Sequence, residues 1–420
     1  MFVANTTADT ISNWQIQTIN LSLLFNMFGF VVAIVSSLSV SALASPVIEI
    51  RNTSSSISLA DLALQKVLQD ASPIFGYYTR NATNTSEWMK RYPDSTKLVH
   101  MNIPGTHDTA TWNYSLATQE SLLGVTALGD ETPVAPKYYR CQDSSIINML
   151  NSGIRVFDLR FALDVTNTSL VFWHSQALQS ETASVEDVLF GFYKWLDDHP
   201  SEALLLSFQY EGSTTAYGSD SATNQLLIFN ILTSPAAKKY FVQTQNELGT
   251  LGKARGKITL LRRFDLDQLP DSYSDALPGL HFPPALWIDN SPDITLTYNT
   301  AQNLTAYIED YYEIDSPIGS GAALNIQWKY NATTAHLLKA ASQYPDSLFW
   351  SFASSEYDVD IPAETPQIMA LGNGTGSTPL GGVNQRLVPF LKGLKGKRVG
   401  IVMFDFFETP GDLVQTLLNL

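Results

Sequence analysis

Apolar and polar positions divide the chain into short apolar runs separated by amphipathic stretches, the alternation expected of successive β/α units. Candidate strands fall at 98–103, 154–161, 170–174, 203–209, 257–263, 286–289, 348–352 and 399–405. Two of them contain nearly uninterrupted apolar runs, ALLLSF and VGIVMF, as expected of parallel strands covered on both faces. Helical stretches are predicted at 144–151, 185–198 and 332–342. In 185–198 the residues Val185, Val188, Leu189, Phe192, Trp195 and Leu196 form one stripe of 3.6-residue period. Ser184 and Asp187 at its start have the spacing of a capping box. No internal repeat is apparent. Eight strands alternating with helices predict an α/β fold, a single irregular TIM-like β/α barrel, rather than two domains.

The barrel is expected to span 95–420. Residues 45–94 are polar, with Ser and Asn clusters around a helical patch at 59–68, and read as a linker and accessory segment. Upstream, 21–44 is an apolar run ending in Ala42-Leu43-Ala44 before Ser45-Pro46, so 1–44 is expected to be a signal peptide cleaved after Ala44. The run is also long enough for a signal anchor, which would tether the protein to a membrane. The serines within 36–41 and the lack of flanking basic residues favour cleavage, while the missing basic n-region counts against it. Export agrees with Asn-X-Ser/Thr acceptors at Asn52, Asn81, Asn84, Asn113, Asn167, Asn303, Asn331 and Asn373, which predict a secreted glycoprotein. The carboxyl end, DLVQTLLNL, is too short and polar for a lipid-anchor signal.

Composition narrows the function classes. Of 420 residues, 45% are hydrophobic and 15% charged, enough to bury a large core and too apolar for disorder. A net charge of −15 argues against nucleic acid or an anionic surface as an electrostatically held partner, but is compatible with one phosphate in a small basic pocket. Cys141 is the single cysteine, so no internal disulfide forms and no cysteine cluster supports a structural zinc site. It is expected to be buried and inert.

The chemistry centres on IPGTHDT at 103–109. The first strand is expected to stop at Pro104-Gly105, leaving His107 and Asp108 beyond its carboxyl end, where barrels and open α/β sheets bind ligands. Other strands add polar groups: Arg155, Asp158 and Arg160 in 154–161, His174 closing 170–174, Arg262 and Arg263 closing 257–263, and Asp405 closing the last. Two histidines, two or three arginines and two aspartates therefore converge on one rim of the expected barrel. His100, His199, His281 and His336 read as structural. The glycine-rich run at 371–382 reads as a loop, since no lysine or helix start follows to make a phosphate cradle.

This set resembles the X-domain family of phosphatidylinositol-specific phospholipases C, above all the single-domain bacterial type. The resemblance runs from about residue 97 to the end. It is carried by IPGTHDT, GIRVFDLR (153–160), ARGKITLLRRF (254–264) and VGIVMFDF (399–406). It implies that His107 is the general base, Asp108 its neighbouring carboxylate, Arg160 the phosphate contact, His174 the general acid and Asp405 the carboxylate orienting His107. Arg263, Asp310 and Tyr312 match residues around the inositol ring, and Gln209 stands where bacterial members carry a lysine. Relatives that use calcium have an acidic residue at the position of Arg160, so the resemblance implies metal independence and no cofactor. The implied reaction is attack by the inositol 2-hydroxyl on phosphorus, giving a 1,2-cyclic inositol phosphate and diacylglycerol at a membrane surface.

Elementary chemistry supports those roles. Cleaving a phosphodiester through an internal hydroxyl needs a base on one side and an acid on the other, which two imidazoles supply when their surroundings separate their proton affinities. Asp405 is expected to fix the His107 tautomer, Asp108 to raise the pKa of His174, and Arg160 to fork onto phosphate oxygens. The chain departs from the family at Gln209-Tyr210, at Ser175 where glycine is usual, and in long loops at 111–139 and 212–225. These departures leave open a glycosylated inositol lipid or a soluble phosphodiester as substrate, or an inactive lipid- or glycan-binding barrel. Trp112, Leu122, Leu123 and Val125 are expected either to enter a bilayer surface or to cover the barrel mouth.

Overall fold

The computed structural model describes residues 57–80, 85–122, 135–212 and 220–420. Eleven strands are seen among them: β1 (Ile103–Thr106), β2 (Val156–Leu163), β3 (Leu170–His174), β4 (Ala177–Leu178), β5 (Ala203–Tyr210), β6 (Lys257–Arg263), β7 (Leu280–His281), β8 (Ser291–Asn299), β9 (Leu304–Asp310), β10 (Leu348–Phe352) and β11 (Ile401–Phe404). Their order is β7-β6-β5-β2-β1-β11-β10-β9-β8. The eight from β7 to β9 run parallel, and β8 returns antiparallel on β9. The sheet curls into a nearly closed barrel, the irregular TIM-like architecture expected. No strand pairing joins β7 to β8 among the described residues; instead Phe282, just past β7, packs on Tyr298 of β8 with ring centroids 5.9 Å apart.

Three predicted strands move. Residues 98–100 form a 3-10 turn, and β1 is IPGT itself, so Pro104 and Gly105 sit inside the strand rather than ending it. The missing N–H of Pro104 is not needed, because its carbonyl is what accepts the Arg155 N–H at 2.9 Å. Gly105 is demanded by close packing: a Cβ there would lie 2.4 Å from the Met403 sulfur and 2.8 Å from Val156 Cβ. The predicted strand at 170–174 exists but pairs antiparallel with β2, extending it into a hairpin above the barrel. The predicted strand at 286–289 is a 3-10 turn and loop; β7 and β9 take the two barrel places.

The helix Val185–Asp198 has the predicted bounds and capping box, with the Ser184 hydroxyl accepting the Asp187 N–H at 3.1 Å. The stretch 57–94, expected as a linker, belongs to the same compact unit as the barrel. Its helix Leu59–Phe75 packs on Val185–Asp198, Phe75 meeting Phe192 edge-on at 5.3 Å. Gly191 makes that approach possible, since a Cβ would lie 2.7 Å from the Phe75 ring. Trp88 and Met89 join the same buried cluster, so this segment covers apolar surface that a tether would leave wet.

Near the start of β2, just ahead of Val156, Arg155 is fully buried with Glu202 (2.7 Å) and lies over the Trp195 ring at 4.7 Å. Its remaining N–H groups donate to the carbonyls of Leu150, Ile154, Thr85 and Ser86. This arginine ties the amino-terminal segment to the barrel and stands apart from the polar rim.

Candidate active site

The carboxyl ends of the barrel strands collect the chemistry. His107 and Asp108 follow β1, Asp158 and Arg160 lie on β2, Gln209 and Glu211 close β5, and Arg263 ends β6. Asp310 ends β9, Glu356 follows β10 and Asp405 follows β11. His174 reaches the same rim through the β2–β3 hairpin, whose turn is fixed by the Asp164 carboxylate accepting the N–H groups of Thr168 (2.9 Å) and Ser169 (3.0 Å). Asp108, Ser175 and Phe406 adopt left-handed backbone conformations (φ 39°, 51° and 45°), each at or beside a site residue. Such strain in residues other than glycine persists only where the surroundings impose it, and a φ of 51° at Ser175 is one that glycine would adopt without strain.

Arg160 Nη2 donates to His107 Nε2 at 2.9 Å, and His107 Nδ1 faces Asp405 Oδ1 at 3.0 Å. A guanidinium has only donors, so Nε2 holds the lone pair and Nδ1–H donates to Asp405. The histidine is thereby fixed neutral, with its basic nitrogen toward the cavity. Burial and then Arg160 push its pKa well below the usual histidine range. Asp405, 1% exposed, is pushed well above the carboxylate range, by burial first and by Asp108 next. The Asp405 carbonyl is anchored by the Asn384 side-chain amide at 2.8 Å.

His174 Nδ1 donates to the Tyr139 carbonyl at 2.9 Å, which directs Nε2 inward. Asp108 Oδ2 lies 3.2 Å from Nε2 of His174 and 3.2 Å from Nε2 of His107, so the two nitrogens are at most twice that distance apart. Asp108 Oδ1 meets Arg160 Nε at 2.7 Å. Burial raises the Asp108 pKa, opposed chiefly by Arg160. The expected rise at His174 is not what its surroundings give. Burial and Arg160 push it down, offset in part by the Tyr139 carbonyl and by Glu211 and Glu356. The acidic proton on that side is therefore one that His174 Nε2 and Asp108 Oδ2 can share.

Arg160 also faces Asp158 (3.5 Å) and Glu211 (3.6 Å). Arg263 lies 3.8 Å over the Trp287 ring and between Asp158 (3.6 Å) and Asp310 (3.5 Å). Trp287 Nε1 donates to Asp310 at 2.7 Å, and the Tyr312 hydroxyl to Asp289 at 3.1 Å. Arg160, Glu211, Arg263, Asp289, Asp310 and Tyr312 line a cavity of about 390 Å³ with His107, His174, Gln209, Glu356 and Asp405. Of the residues singled out from sequence, His107, Arg160, His174, Gln209, Arg263, Asp310, Tyr312 and Asp405 are on this wall, and Asp108 and Asp158 contact it. Arg155 and Arg262 do not join them: Arg155 binds Glu202, and Arg262 turns to Ser274 at 3.0 Å.

Glu211, Glu356, Asp289 and Trp287 were not legible from sequence. Glu211 and Glu356 each stand just past a strand whose carboxyl end was identified, which is the available signal. Cys141 is fully buried, as expected, but on the cavity wall. Trp112 is half-buried with its indole N–H on the Ile74 carbonyl (2.7 Å), and Leu122 packs among Ala162, Val171, Trp173 and Leu178. Both are packed within the protein, Trp112 against the helix Leu59–Phe75 and Leu122 against the β2–β3 hairpin; Leu123 and Val125 lie outside the described residues. His100 is exposed beside Asp346 (2.9 Å) rather than packed in a strand.

No family model matches the chain. It is 24% identical over 249 residues to a 1-phosphatidylinositol phosphodiesterase of Staphylococcus aureus, covering 56% of this chain and 70% of the relative. A protein of the same name from Listeria monocytogenes is 29% identical over 189 residues, 43% of this chain and 50% of the relative. The chain is related to the phosphatidylinositol phosphodiesterases. The fold agrees: the crystal structure of a pentafluoro-Phe form of the S. aureus phosphatidylinositol-specific phospholipase C superposes with a TM-score of 0.57 at 20% identity, covering 80% of this chain and 97% of that one. No helix among the described residues is long and apolar enough to cross a membrane; residues 21–44 lie outside them.

Proposed function

We propose that the chain is a metal-independent phospholipase C acting on phosphatidylinositol-type lipids at a membrane surface. The observation that carries this reading is the pair of imidazoles aimed at one another across Asp108, with the Arg160 guanidinium beside them. A phosphodiester entering between the rings meets Arg160, which leaves His107 Nε2 to bind phosphate oxygens in a charge-assisted fork. The freed Nε2 lone pair takes the proton of the inositol 2-hydroxyl as that oxygen attacks phosphorus. Asp405 stabilises the imidazolium that forms. On the other side the proton shared by His174 and Asp108 passes to the departing diacylglycerol oxygen. One P–O bond forms and one breaks, leaving a 1,2-cyclic inositol phosphate.

The floor of Arg263, Asp310 and Tyr312 suits the ring hydroxyls, and Gln209 stands among them in place of a cation. That exchange favours one second reading, a glycosylated inositol lipid as the preferred substrate. The domain scheme proposed with it is a 1–44 leader, removed on secretion, followed by the catalytic unit. The five described acceptor asparagines, from Asn113 to Asn373, are all exposed, which suits a secreted glycoprotein. The test is to incubate phosphatidylinositol vesicles with the protein and a chelator and to follow released inositol phosphates by phosphorus NMR. The cyclic product is expected with the chelator present. Activity abolished by the chelator overturns metal independence, and activity equal to that of His107→Ala overturns the enzyme reading.

A further inference from the structure

Cys141 has no part in the chemistry above, yet it lies on the cavity wall close to His107 and Asp108. One nitrogen of His107, one oxygen of Asp108 and the sulfur of Cys141 all lie within 4.8 Å of one another, the one grouping of this kind among the described residues. We propose that these three side chains form an inhibitory site for a thiophilic divalent cation of the Zn²⁺ class, which silences the cavity by occupying His107 Nε2.

Four observations support the assignment. Ligand atoms on one tetrahedral zinc stand roughly 3.3–3.8 Å apart, from metal–ligand distances of about 2.0–2.3 Å. His107 Nε2 and Asp108 Oδ2 are already at 3.2 Å, so only the thiol has to close in. Asp108 Oδ2 belongs to a side chain 2% exposed and meets no group by full hydrogen-bond geometry, only the two imidazole nitrogens at 3.2 Å, so a cation there competes with nothing stronger than the proton shared with His174. The other ring nitrogen of His107 is held by the Asp405 carboxylate, the outer-shell partner that metal-binding histidines regularly have. His107 and Cys141 both line the open cavity, which provides an entry path and room for a fourth ligand from water.

The balance of charge also closes. The cation displaces the thiol proton and the proton that Asp108 shares with His174; both leave to solvent, and Zn–S and Zn–O bonds form with no oxidation. The thiolate and the Asp108 carboxylate together neutralise the two positive charges. Arg160 must give up His107 Nε2, and Asp158 and Glu211, within 3.6 Å of it, are there to receive it. With Nε2 committed to metal, no lone pair remains for the attacking hydroxyl. The inhibition, though not the binding, rests on the phospholipase reading.

The test uses the reduced full-length protein in chelator-free buffer, with Co²⁺ as a spectroscopic stand-in for Zn²⁺. Cys141 is the only cysteine, so any thiolate-to-cobalt charge-transfer band reports on this site alone. The wild type is expected to develop that band, with intense tetrahedral d–d absorption, at one equivalent, and to lose both when Zn²⁺ is added. Cys141→Ser should show no band, and its half-inhibitory Zn²⁺ concentration in the vesicle assay should rise at least tenfold relative to wild type. Absence of the band in wild type overturns the site without recourse to any variant. Equal Zn²⁺ inhibition of wild type and Cys141→Ser overturns the inhibitory role. A cobalt band in a protein with no phosphodiesterase activity leaves the metal site standing and removes the phospholipase reading instead.

Discussion

Replacing Asp405 by Asn isolates the orienting contact from the bulk of the site. The side chain keeps its shape, and the Asn384 anchor to the backbone carbonyl of residue 405 is untouched. What changes is the 3.0 Å contact with His107 Nδ1. A hydrogen bond to a buried charge contributes about 1.5–3 kcal/mol, and at about 1.4 kcal/mol per tenfold its loss alone lowers the rate roughly 10- to 100-fold. A further loss follows if the amide turns its NH₂ toward Nδ1. The imidazole then carries its proton on Nε2, facing the Arg160 N–H groups donor to donor, with no lone pair for the substrate. The equivalent change in a Ser-His-Asp triad costs about 10⁴ in kcat, which sets the upper end. The expected fall in kcat is therefore about 10–10⁴. Stability should not fall with it, because Asp405 is a buried carboxylate whose Oδ2 accepts no hydrogen bond, and a neutral amide removes that desolvation cost. Turnover on phosphatidylinositol vesicles, read with a urea unfolding midpoint, checks both halves. A kcat within about threefold of wild type, in a folded variant, refutes the orienting role.

Other predictions concern stability, acid sensitivity and substrate binding. Glu202→Ala leaves the Arg155 guanidinium buried without its carboxylate and is expected to lower unfolding free energy by about 3–5 kcal/mol in urea titrations, with kcat unchanged because this pair sits away from the rim. His336, buried with Nδ1 on the Ser351 hydroxyl (2.7 Å), has its pKa lowered to about 3 by burial. The folded state therefore binds this proton less readily than the unfolded chain. Stability is intact above the ordinary histidine pKa and falls as pH drops below it, by about 2 kcal/mol at pH 5. His336→Gln should lose correspondingly less stability between pH 7 and pH 5, and an identical loss contradicts the assignment. Arg263→Lys gives up both the stacking on Trp287 and the fork between Asp158 and Asp310. We expect KM for phosphatidylinositol to rise about tenfold with a smaller change in kcat, measured on mixed micelles.

The strands that were plain in the sequence are those buried on both faces, β5, β6, β10 and β11, because continuous apolar runs have few other uses. Those misread are the ones whose strand character comes from neighbours. Pro104-Gly105 has the local chemistry of a stop, and only the crowding of Met403 and Val156 around Gly105 makes it a strand. The alternation at 291–299 in β8 is half polar because one face is exposed, and the two-residue β7 carries no periodic signal at all. His107, Arg160, His174 and Asp405 were legible because polar groups at the ends of apolar strands stand out. Glu211 and Glu356 sit one to four residues beyond strand ends, in loops where a carboxylate is unremarkable by itself. The direction of the His174 shift was beyond reach, since it depends on how far burial and Arg160 outweigh the surrounding carboxylates.

In the proposed mechanism two imidazoles act on opposite sides of one phosphorus atom, His107 on the attacking hydroxyl and His174 on the departing oxygen. The most direct measurement compares His107→Ala and His174→Ala on phosphatidylinositol and on an inositol phosphodiester whose leaving group is a nitrophenol, which needs no proton to depart. On the natural substrate both variants should be slow. On the activated one, His174→Ala should recover to within about tenfold of wild type, while His107→Ala stays down by the 10²–10⁴ typical of a lost general base. Equal recovery of the two variants, or recovery of His107→Ala alone, contradicts the account.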